Sequence, residues 1–138
     1  MLILSRYIAK HELKPLQKHF DIEDLIIGAK KIVQGLGQQI TLPKQKSTIR
    51  FFKIRIGGKT KGRMVAFLIS ENNKVVPILI RLKKDKKFGM NMSAQNPNVV
   101  EQIKKNLEHV FTDIEKKNYE EFETKDPRHK YLSKKYLN

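Results

Sequence analysis

Between Ile49 and Lys83 the chain carries three runs in which apolar side chains recur at every second residue, joined by connections only a few residues long. The runs are Ile49 to Ile56, Arg63 to Ser70 and Val75 to Lys83. Each is rich in the β-branched and aromatic residues that suit a pleated, half-buried surface. Gly57, Gly58 and Gly62 bracket the first connection, and Glu71, Asn72 and Asn73 form the second. Parallel strands need a crossover of about a dozen residues or more, so connections this short join antiparallel neighbours. The stretch reads as an antiparallel meander, and the rest of the chain must cover it.

Strand side chains alternate between two faces, so residue parity sorts them. The even positions Phe52, Ile54, Ile56, Met64, Ala66, Leu68, Val76, Ile78, Ile80 and Leu82 are all apolar and are expected to form the core. The odd positions pass from Val65, Phe67, Ile69, Val75 and Leu79 to a basic set of Lys53, Arg55, Arg63, Arg81 and Lys83. Centring the hairpins on Lys59 and Asn72 sets Arg55 opposite Arg63 and Arg63 opposite Arg81. Like charges directly opposite one another destabilise a sheet. Such a row implies a compensating polyanion, unless the side chains simply splay outward into solvent.

Charge supports the polyanion. The net charge is +15, and the segment from Ile49 to Ser93 holds 12 Lys and Arg against only Glu71 and Asp85. Lysine outnumbers arginine 23 to 6, as an AT-rich coding bias would also produce, so arginine is the better witness. Four of the six arginines (Arg50, Arg55, Arg63, Arg81) lie in the meander. A focused basic surface points to nucleic acid or an acidic protein.

The flanking elements follow from local signals. Leu2 to Leu4 reads as a short edge strand, and Arg6 to Phe20 as a helix that Pro15 kinks or divides. Asp21 and Asp24 cap a helix whose apolar stripe runs from Ile22 to Leu36, ending at Gly35 and Gly37, with Lys30 and Lys31 suiting its dipole. Gln39 to Leu42 is a further short strand, and Phe88, Met90 and Met92 continue the sheet at its edge. Asn96 and Pro97 start a helix whose stripe of Val99, Val100, Ile103, Leu107, Val110, Phe111 and Ile114 reaches about Lys117. Beyond Asn118 the periodicity is lost, which predicts a tail, free or docked.

Several chemistries are refused. Gly58, Lys59 and Thr60 are similar to the end of a phosphate-binding loop, but Lys53 stands where its first glycine belongs and a strand follows where a helix should. The histidines His11, His19, His109 and His129 are dispersed, and the basic set lacks paired carboxylates, so no metal or other cofactor is expected. No serine stands at triad spacing from a histidine and an acid. Cysteine is absent, no apolar run approaches a membrane span, and no leader pattern opens the chain; a cytoplasmic location is expected. A basic cleft can still cleave RNA through its own 2′-hydroxyl, given a base, cations for the phosphorane and an acid for the leaving oxygen. Crowded lysines lower one another's pKa and fit the proton-transfer roles.

The order of helices from Arg6 to Leu36, then FFKIRIGGKTKGRMVAFLI from Phe51, then ILIRLKKDKKFGMNMS from Ile78, then a closing helix, resembles the RelE/HigB/ParE-like toxin superfamily of bacterial type II toxin–antitoxin modules. The match covers roughly Arg6 to Glu115 and rests on short motifs: a basic strand (Lys53, Arg55), a Gly/Lys loop (Lys59, Lys61), a strand-start arginine (Arg63) and a lysine run (Lys83, Lys84, Lys86, Lys87). The resemblance implies an α+β fold, with a small antiparallel sheet of three to five strands, N-terminal helices on one face and a C-terminal helix. It implies a toxin domain over residues 1–117, with a basic tail over 118–138 that is free or docked. It also implies a metal-independent mRNA endoribonuclease, ribosome-associated and silenced by a cognate antitoxin protein. Arg55, Arg63, Arg81, Lys83 and Lys84 would be catalytic, and Lys53, Lys59, Lys61, Lys86 and Lys87 would bind RNA. The alternatives are a ParE-like inhibitor of DNA gyrase and an inactive nucleic-acid-binding relative. One departure from the family stands out: no tyrosine or histidine lies between Arg50 and Ser93 to serve as acid or base. On this reading Arg63→Ala loses activity with little loss of fold.

Overall fold

The computed structural model describes residues 1–42, 49–58, 61–85 and 95–124. The three predicted runs are strands β3 (Arg50–Ile56), β4 (Gly62–Ile69) and β5 (Lys74–Leu82), paired antiparallel in that order. Arg55 lies opposite Arg63, and Arg63 opposite Arg81, the register that the turns dictate. Gly57 and Gly58 turn the first hairpin at φ values of +66° and +92°, a region glycine enters without steric cost.

The parity rule holds for half of the sheet. A bulge falls where Val65 pairs with Leu79 but Ala66 pairs with Pro77, so β5 spends an extra residue there. Pro77 has no N–H for the ladder, and a bulge is where a strand tolerates that. Past it the faces of β5 exchange: Val76 lies across from Phe67 and Val75 from Leu68, the reverse of the parity assignment. The exchange is harmless because both faces are apolar there, and Val65, Phe67, Val75, Val76 and Leu79 are all buried.

Each face has its helix. Asp21 opens α2 (Ile22–Val33) with a reciprocal capping box, the Asp24 N–H donating to Asp21 Oδ1 at 3.1 Å and the Asp21 N–H to Asp24 Oδ2 at 3.0 Å. Gly28 lets this helix settle on Ile54, Ile56 and Met64 of the even face. The helix ends at Val33, short of the expected Leu36, which is 66% exposed and outside the core. The chain returns as β2 (Gln38–Ile40) alongside β3. On the odd face α3 (Pro97–Glu115) starts as predicted, Asn96 Oδ1 accepting from the Asn98 N–H at 2.9 Å. It buries Val99, Ile103 and Val110, and its Phe111 meets Phe67 at 5.8 Å between centroids.

The chain ends depart furthest from expectation. β1 (Leu2–Ser5) is an inner strand with all four residues buried: it pairs parallel to β5, Leu2 across from Val75, and antiparallel to β6 (Tyr119–Phe122). The start of the predicted tail is thus the outermost strand. The molecule is a small mixed α+β protein whose six-stranded sheet has the order β2-β3-β4-β5-β1-β6, against the three to five antiparallel strands expected. After β1 the backbone winds through α1 (Arg6–Ile8), a π-helical turn (Ala9–Leu13) and a 3₁₀ turn (Lys14–Leu16) that contains Pro15, which is the predicted break. The edge continuation expected at Phe88 to Met92 lies outside the described residues. Among the described residues no helix is long and apolar enough to cross a membrane.

Phe20, buried at the end of that winding segment, packs directly against Gly62. A Cβ at Gly62 would overlap the Phe20 ring and stand 2.8 Å from the Arg81 carbonyl oxygen, which is backbone and does not yield. Gly62→Ala is therefore expected to lower the unfolding free energy by ~2 kcal/mol or more. The expected readout is a lower urea midpoint at unchanged m; an unchanged midpoint would mean that Phe20 is not seated there.

Candidate nucleic-acid interface

The arginine row crosses three strands, but its members differ in environment. Arg55 on β3 is exposed. Arg63, at the start of β4, is only 6% exposed and donates from Nη1 to the Gly62 carbonyl at 2.9 Å. Burial and then the neighbouring Arg55 charge lower its pKa. Because Arg63 is packed as well as charged, Arg63→Ala also removes buried contacts, contrary to the expectation that it spares the fold.

Arg81 is held by acids. Its Nη1 bonds to the carboxylate of Glu12 and to the Ile80 carbonyl oxygen at 2.9 Å, and its Nε lies 3.8 Å from Asp85. Glu12, 3% exposed, also accepts the Ile80 N–H at 2.8 Å. Buried Asn106 on α3 adds a further hydrogen bond to Glu12, donates to the Ile78 carbonyl at 2.7 Å and accepts from Gln102 at 2.9 Å. Burial raises the Glu12 pKa more than Arg81 and these donors lower it. The row is neutralised at its Arg81 end and open at its Arg55 end.

At the open end, Lys53, Arg55 and Arg63 line a cleft of about 410 Å³ with Lys31, Leu36, Gln38 and Ile54. Among the described residues no carboxylate lines it. Lys53 is half-buried, and burial, followed by the Arg63 charge, lowers its pKa. A second cleft of about 240 Å³, lined by Asp24, Ile27, Lys31, Arg55, Ile56, Gly57 and Gly58, shares Lys31 and Arg55 with the first. Near the first hairpin the Lys83 N–H donates to the Lys61 carbonyl at 2.9 Å, which joins those two residues beside the row. Lys83 is half-buried, and Lys61 and Lys84 are exposed. Lys59, Lys86 and Lys87 lie outside the described residues.

Two site residues escape a strand-based reading. Lys31 comes from α2, where its position near the helix end already accounts for it. Glu12 comes from the winding segment, and nothing in its neighbours announces a buried acid. The histidines are less dispersed than their spacing suggests, since the His109 ring stacks on Tyr7 and the His11 ring lies tilted against it. Among the described residues no group of three or more histidine, aspartate or glutamate side chains is placed to hold a metal ion. Comparison with protein-family models, with curated proteins and with solved structures gives no match.

The raised pKa of Glu12 makes its ionised form the less favourable one in the fold. Stability from this group is complete below the ordinary carboxylate range and declines as pH rises through the raised native value. Glu12→Gln keeps an acceptor for Ile80 and Arg81 without the buried charge. It is expected to equal or exceed wild type in stability at neutral pH, with the gap closing on acidification. Glu12→Ala leaves the Ile80 N–H without its acceptor and takes from Arg81 one of its two acids, and is expected to lose ~2–3 kcal/mol. Urea titrations of the three proteins across pH check the order, and a Gln variant as weak as the Ala variant would refute it.

Proposed function

We propose that this chain is a RelE-like toxin that cleaves mRNA without a metal, working in the cytoplasm under control of a cognate antitoxin protein. The observation that carries the reading is the cleft itself, in which four cations (Lys31, Lys53, Arg55 and Arg63) line a common space with no carboxylate among its described lining residues. The succession of broken helix, α2, basic meander and closing α3 supports the RelE-like comparison.

In the proposed reaction the 2′-hydroxyl of a bound ribose attacks its own 3′-phosphate. The O2′–P bond forms, the P–O5′ bond breaks, and a 2′,3′-cyclic phosphate and a 5′-hydroxyl result. Lys53, whose pKa burial and the Arg63 charge lower from the ordinary lysine value, takes the 2′ proton in its neutral form. Arg55 and Arg63 stabilise the phosphorane charge. Lys83 returns a proton to the leaving 5′ oxygen, and Lys31, Lys61 and Lys84 hold flanking phosphates. Arg81, bound to Glu12, fixes the strand end instead of contacting RNA. The requirement for a 2′-hydroxyl restricts cleavage to RNA.

A second reading, a gyrase-directed toxin or an inactive nucleic-acid-binding relative, draws on the same geometry: Arg63 is mostly buried and Arg81 is ion-paired. An mRNA cleavage assay in EDTA, with and without translating ribosomes, separates the readings. Cleavage is expected, with Arg55→Ala reducing it by about 100-fold. Its rate should rise with pH through a midpoint below that of an ordinary lysine, and Lys53→Met should remove that rise. RNA binding without strand breaks would favour the inactive relative, and inhibition of gyrase supercoiling would favour the ParE-like toxin.

A further inference from the structure

The arginine row and cleft offer contacts for phosphate but nothing for a base. At its Arg81 end the row leads to a group of rings in the seam between the first helical segment and α3. The Tyr7 ring stacks on His109 of α3, with centroids 4.0 Å and planes 3° apart. It also stacks on His11, one turn further along its own segment, at 4.4 Å with a tilt of 33°. The phenol thus contacts both imidazoles, and the three rings form one continuous column of contacts.

The column is both open and anchored. His11 and His109 are both exposed, so the column meets water through both imidazole side chains. The Tyr7 N–H donates to Asp113 of α3 at 2.7 Å, and the preceding Ser5 caps the segment by accepting the Ile8 N–H at 3.2 Å. Glu12, next to His11 in the chain, bonds to Arg81, which ties the column to the row. The fully buried apolar residues of α3, Ile103 and Val110 among them, belong to the core. Flat, polar rings left in water beside a basic row suit a different task. Nucleobases stack on such rings while cations follow the backbone.

We propose that the His11–Tyr7–His109 column is a stacking platform for single-stranded RNA. One unpaired base lies on an outer imidazole face, with the attached backbone running toward Arg63 and Arg55. The proposal rests on the RNA-directed reading above and adds to it a subsite that recognises bases.

The test follows the four histidine ring-proton resonances and the affinity while hexa-adenylate, or an abasic ribose-phosphate oligomer of the same length, is added at low salt. His11 and His109 are expected to shift upfield with hexa-adenylate alone, while His19 stays in place. The double variant His11→Ala/His109→Ala should bind hexa-adenylate about tenfold more weakly and the abasic oligomer unchanged. Should that variant misfold, the resonances of the wild-type protein decide. Hexa-adenylate binding that leaves His11 and His109 unmoved overturns the platform and spares the RNA-directed reading. Failure of wild type to bind either oligomer overturns both.

Discussion

The buried carboxylate of Glu12 is the contact on which the arrangement of this protein depends. Three arginines across adjacent strands would repel one another in a bare sheet. Glu12 answers the one on β5, Arg81, and, with the same carboxylate, receives the Ile80 N–H. One side chain thus pairs with a charge and occupies a backbone donor of β5. The π-helical turn that carries Glu12 matters for this reason, because it sets the acid against β5 just before Pro15 ends the regular winding.

The consequence is a polarised row. Glu12 and Asp85 flank the Arg81 end, whereas in the larger cleft at the Arg55 end the charged side chains among the described lining residues are all cations. An anion arriving at the sheet meets its strongest attraction away from the helical segment, on the side where α2 supplies Lys31. Burial sharpens the effect at Lys53 and Arg63, whose charged forms are less favoured than those of solvated side chains and gain more from a phosphate partner.

Much of this was legible in the sequence, for reasons particular residues make plain. The register of Arg55, Arg63 and Arg81 was readable because two short connections leave little freedom in how the strands align. Asp21 with Asp24, and Asn96 with Pro97, marked the helix starts because capping is local chemistry. The bulge was not foreseen, although Pro77 in the middle of β5 was its sign. The inner position of β1 and the pairing of Tyr119–Phe122 were not readable, since both depend on partners far away in the chain and the run YEEF lacks a clear alternation. Glu12, Lys31 and the Tyr7 column share that origin: each acquires its role from a neighbour that only the folded chain brings close.

The place of β1 between β5 and β6 bears on how the chain reaches its native state. Leu2 must wait for Val75 on one side and Phe122 on the other, whereas the meander closes through local hairpins. Loop closure over such separations is slow, and sheets dominated by distant pairings fold late. The meander is thus the natural nucleus, and β1, which is synthesised before it, is secured after it. Until β6 arrives, the apolar run Leu2–Leu4 presents an open edge, the kind of surface through which unfinished chains associate.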